Sequence, residues 1–132
     1  MSFHSRLRAL LFCALLMGFV GLNAQQSQHR TYSNVEYNEE GGDLLGSELE
    51  LTINADRVDG HLKIYQGGCA DPIHVTGSLS GEKLHVSGEN DLYGKIDITG
   101  SVKGSSFDGL LRLEKTHSSE KIRLTRIDKP HC

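Results

Sequence analysis

From Thr31 to Ile127 apolar residues alternate with polar ones, and Gly, Asn, Asp or Ser breaks the alternation at short intervals. A period of two puts successive side chains on opposite faces of an extended strand, whereas a helix needs apolar residues three and four apart. Eight strands are predicted on this basis, at 31–38, 47–54, 57–66, 72–79, 83–88, 93–102, 106–114 and 120–127. Only the stretch from Glu39 to Gly46 is irregular enough to hold a short helical turn.

An internal repeat supports the strand reading. Ile73 to Leu84 (IHVTGSLSGEKL) matches Ile96 to Phe107 (IDITGSVKGSSF), and each copy reads as strand, tight turn and returning strand. Two copies are too few for a solenoid, so they are expected to be one hairpin design used twice in a meander.

The hairpins also propose a register. The first copy sets Leu79 against Leu84, Gly77 against Val86 and Val75 against Gly88; the second sets Val102 against Phe107, Ile98 against Leu111 and Ile96 against Leu113. A loop at Asn90-Asp91-Leu92 places Val86 against Ile96 and Leu84 against Ile98. The last hairpin then places Leu113 against Ile122, Leu111 against Leu124 and Arg112 against Arg123. Earlier in the chain Leu49 meets Leu62, Glu48 meets Lys63 and Glu50 meets His61. On the opposite face of the later strands, Lys95 meets Glu114, Asp97 meets Arg112 and Glu114 meets Lys121. Opposite charges across strands stabilise by a few tenths of a kcal/mol each, so they serve as register markers.

A sheet apolar on one face only must cover that face. The expected fold is all-β: a small antiparallel up-and-down meander of about eight strands, with one disulfide. Short links favour a barrel over a sandwich. Gly60, Gly77, Gly88, Gly94, Gly100 and Gly109 fall on the inward parity, where they permit tight curvature or leave open space. Leu, Ile, Val and Phe107 line the rest, which favours an interior filled by side chains over a roomy one.

The first 24 residues read as a cleaved secretory signal: Arg6 and Arg8, an apolar run of 14 residues from Ala9 to Leu22, and small Ala24 at the cut. That run is too short for a membrane span, and no later segment approaches the length of one. Residues 25–46 carry the first strand and join the meander of 47–132 in a single domain. Secretion or a periplasmic location is expected. Cleavage leaves 12 Lys and Arg against 17 Asp and Glu, a net −5, which argues against a nucleic-acid binder. It also leaves two cysteines, Cys69 and Cys132, which an oxidising compartment would join. The bridge would close a loop of about 63 residues and stabilise the fold by roughly 4 kcal/mol on the chain-entropy account.

Candidate chemistry is sparse. The register lines up Ser78, His85, Asp97, Arg112 and Arg123 on the polar face. Ser78, His85 and Asp97 suggest a hydrolytic triad, but an open sheet face offers no oxyanion hole and excludes no water, so no catalytic residue is assigned. Adjacent Arg112 and Arg123 could grip an anionic group on a partner. Tyr65, beside Gly67-Gly68-Cys69, and Tyr93, at a strand start, could be exposed anchors. His74 opposite Glu89 and His85 opposite Ser78 stand too far apart to share an ion. No metal, cofactor or nucleotide motif is recognised.

In strand pattern and export the chain resembles small exported β-barrel modules that bind or inhibit another protein, periplasmic inhibitors of cell-wall hydrolases among them, with no shared motif. The resemblance implies a non-enzymatic binding or inhibitory module acting on an envelope or extracellular protein. The patch of His85, Asp97, Arg112, Arg123, Tyr65 and Tyr93 would then form its contact surface. A barrel carrying a small apolar ligand is the alternative, and a hydrolase a distant third.

Overall fold

The computed structural model describes residues 26–132; the signal segment at 1–24 lies outside the described residues. Nine antiparallel strands follow in order: β1 (Gln28–Ser33), β2 (Glu36–Asn38), β3 (Asp43–Asn54), β4 (Arg57–Gly67), β5 (Ile73–Ser80), β6 (Lys83–Asn90), β7 (Gly94–Lys103), β8 (Ser106–Leu113) and β9 (Ser118–Ile127). From β3 to β9 each strand pairs with the next, and β1 pairs with both β3 and β9. Eight strands therefore close into a barrel, with β2 as an extra strand on β3.

The alternation predicted from sequence sets the inside. Tyr32, Leu49, Leu62, Val75, Val86, Ile98, Phe107 and Leu124 share one buried cluster with the other inward Leu, Ile and Val side chains. Close curvature comes from glycine. A Cβ on Gly77 would sit far inside contact distance of the His85 carbonyl oxygen. Facing Gly100 and Gly109 are closed in the same way, each by backbone and by the Phe107 ring. The glycines bring strands together instead of opening a chamber.

Several details differ from the sequence reading. The predicted helical turn between Glu39 and Gly46 does not form. Residues 39–42 make a turn closed by Gly42 N–H donating to Asn38 O (2.7 Å), and β3 begins at Asp43. The predicted strand 31–38 is interrupted at Asn34-Val35, although β1 and β2 keep one register against β3. Asn34 mends the break: its N–H donates to Ser47 O (3.0 Å), and its side-chain oxygen accepts from Ser47 N–H (2.7 Å).

Two hairpins pair in shifted registers. Val86 faces Ile98 and Leu84 faces Gly100, a slip of two residues from the expected β6–β7 pairing. In β8–β9, Ile122 faces Gly109 and Leu124 faces Phe107, a slip of four. Even slips leave every side chain on its own face, so the apolar pattern cannot choose between them. Turn chemistry does. Asn90 Oδ1 accepts from Tyr93 N–H (2.8 Å) and Gly94 takes φ 69°, which fixes the turn at 91–93. Glu114-Lys115-Thr116-His117 makes a tight turn with His117 at φ 50°, a left-handed conformation that glycine or asparagine ordinarily supplies.

Candidate functional site

The sequence-predicted patch divides into three. His85 Nε2 and Asp97 Oδ1 are 2.6 Å apart, and Arg112 stands opposite Asp97. Arg123 belongs elsewhere: the four-residue slip moves it from Arg112 to Asp108, to which its Nε donates at 2.7 Å. That hydrogen bond, then the Asp108 charge, raises the Arg123 pKa above its ordinary value. The expected arginine pair therefore does not exist, and its anion-gripping role goes with it. Ser78 lies opposite His85, but no hydrogen bond joins them among the described residues.

Both tyrosines are inward or covered instead of exposed. Tyr93, at 7% exposure, anchors the β6–β7 turn in the core. Tyr65, at 2%, lies under the C-terminal segment with its ring centroid 6.3 Å from that of His131. Burial raises the Tyr65 phenol pKa; Glu48 and Glu50 add to the shift while Lys63 opposes it.

That C-terminal segment is a strap, and sequence reasoning missed what holds it. Cys69 and Cys132 form the disulfide. Beneath it Glu48 is fully buried and accepts from Ser33 Oγ (2.9 Å) and from the His131 backbone N–H (2.9 Å), with His131 Nδ1 2.5 Å away. Lys63 Nζ donates to the Cys132 main-chain oxygen (3.1 Å) and pairs with Glu50 (3.1 Å). Although Glu48 and Lys63 stand opposite each other as expected, each bonds elsewhere. The available signal was the bridge itself, since tying Cys132 to Cys69 carries His131 across β3 and β4.

The same bridge holds one wall of an open cleft of about 650 Å³ at the end of the barrel. The β4–β5 loop lines one side, and the β6–β7 turn lines the other with Leu92. Leu92 is 66% exposed, the most exposed large apolar side chain among the described residues. Its turn is tightly pinned. Besides the Asn90 bond, Lys115 N–H donates to Tyr93 O (2.9 Å) and Lys115 Nζ to Asp91 O (2.6 Å). Asp71, Glu89 and Asp91 rim the cleft, and no Lys or Arg lines it. Such a site can offer an apolar knob inside an acidic rim without ordering a loop on binding.

A second cross-strand group lies on the outer wall, where His74 bonds Asp59 and packs at 5.8 Å from His61. No three His, Cys, Asp or Glu side chains converge as a metal-binding group among the described residues.

The fold and its covered strap define a small, closed, disulfide-tied antiparallel barrel. No known protein family, curated protein or solved structure matches the chain.

Proposed function

We propose that this chain is an exported, non-enzymatic binding or inhibitory module that engages another protein through the Leu92 end of its barrel. The observation that carries this reading is the pinned turn: an exposed Leu92 held by Asn90 and Lys115 above an acidic cleft. Preorganised loops lose little entropy on binding, and an apolar side chain within a polar rim is the usual core of a recognition patch. A complementary partner surface would have an apolar pocket edged by bases. The interior supports the same reading, because Leu, Ile, Val and Phe107 side chains occupy the space that a carried ligand would need. Export is supported by the signal-like leader and is compatible with the disulfide.

Photo-crosslinking tests the proposal. A photoreactive residue at position 92 should trap one discrete envelope or extracellular protein. The same residue at position 104, in the turn at the other end of the barrel, should not. With the photoreactive residue moved to position 70, on the facing side of the cleft, Leu92→Asp should abolish capture without moving the melting temperature. Equal labelling from both ends, or none from position 92, would overturn the reading.

A further inference from the structure

The barrel wall is closed at one end only. β1 holds β9 through Thr31–Ile127, Tyr32–Arg126 and Ser33–Thr125, after which β2 continues along β3 and, among the described residues, no strand covers the rest of β9. Arg126 N–H points to β8, donating to Ser105 O (2.7 Å). Backbone groups alternate in direction along a strand, so those of Ser119, Lys121 and Arg123 face the uncovered side. On β2 the even residues serve β3, which leaves Tyr37 facing outward along the other lip. Two open strand edges thus flank a wedge, and open edges are templates for further strands.

The two lips carry opposite charge. β2 and its turn hold Glu36, Glu39, Glu40 and Asp43 with no base, while the uncovered part of β9 presents Lys121, and Arg123 paired with Asp108, against Glu120. Two β9 edges would repel each other, as would two β2 edges; only β2 against β9 is attractive. A single-sign peptide would suit one lip and be repelled by the other, whereas a second copy suits both. The β2–β3 hairpin also carries two exposed apolar side chains, Tyr37 (62%) and Leu45 (48%).

We propose that two copies of this chain associate reciprocally, β2 of each adding to the β9 edge of the other around a two-fold axis. Such an interface is isologous and closes at two copies.

Sedimentation of the oxidised protein from micromolar to near-millimolar concentration should show a monomer–dimer equilibrium. Lys121→Glu alone, and Glu36→Lys with Glu39→Lys, should each weaken self-association by about tenfold or more. All three positions are exposed, so circular dichroism should be unchanged. An equimolar mixture of the two variants should dimerise again, because one interface then pairs the reversed lips and the other the native ones. A wild type that stays monomeric throughout would overturn the proposal. So would a dimer indifferent to both reversals, or variants that fail to recover on mixing.

Discussion

Glu48 has no exposed surface, yet it lies on the outward parity of β3 and collects hydrogen bonds from Ser33 and His131. A buried carboxylate is tolerable only when its oxygens are satisfied, and here the strap satisfies them. Tyr65 beside it is different. Its hydroxyl lies by the Cys132 backbone without a well-formed hydrogen bond, so the buried phenol group is a cost to the fold. Tyr65→Phe should leave stability at pH 7 unchanged or raise it by about 1 kcal/mol. The pH dependence has a definite sign. The folded pKa is raised above 10.0, so the neutral phenol is favoured in the fold and ionisation is easier after unfolding. Its contribution is complete below the unfolded pKa and is lost as pH rises through the folded one. Urea titrations should show wild type losing stability relative to Tyr65→Phe only above about pH 10. A constant difference from pH 7 to 11 would contradict the burial of this hydroxyl.

At the scale of the strand pair, glycine decides where the sheet can bend. Gly77→Ala would drive a methyl group into the His85 carbonyl and should cost about 3 kcal/mol by urea midpoint. Gly68→Ala has nothing within 4 Å and an ordinary backbone, so it should change stability by less than about 0.5 kcal/mol. Equal effects would mean that β5 and β6 do not approach as described. The strands and their inward faces were legible in the sequence because alternation fixes parity. Registers were legible where two residues link the strands, as in the β3–β4, β5–β6 and β7–β8 hairpins. They were not where the turn is longer and a side chain or an unmarked residue shapes it. Asn90 moved one turn by a single residue, and His117 closed another that carries no Gly, Pro, Asn or Asp. The site suffered most from this: the four-residue slip alone separates Arg123 from Arg112. The buried strap was illegible for another reason, since its partners are joined by a long-range bridge whose path over the sheet no local pattern records.

Over the whole molecule, the acidic stretch from Glu36 to Asp59 and the basic stretch from Arg112 to Lys129 end up on opposite sides of the closing strand. β1 joins them, and the strap then crosses from β9 to the β4–β5 loop. The disulfide spans 63 residues, so Cys69→Ser should cost about 4 kcal/mol. The barrel should still close, because β1 pairs with β3 and β9 independently of the bridge. Chemical denaturation with far-ultraviolet circular dichroism checks both halves of that prediction: a lower midpoint and an unchanged spectrum.

Closure by β1 is the feature on which the covered strap, the filled interior and the open wedge all depend. An isotope-edited nuclear Overhauser spectrum of the oxidised protein tests it most directly. Tyr32 and Arg126 form a non-hydrogen-bonded antiparallel pair at the seam, where α-protons approach closely. A strong cross-peak between their α-protons is predicted, together with one between Asp108 and Arg123. A spectrum with no Tyr32–Arg126 contact, and with Arg112 facing Arg123 instead, would contradict it.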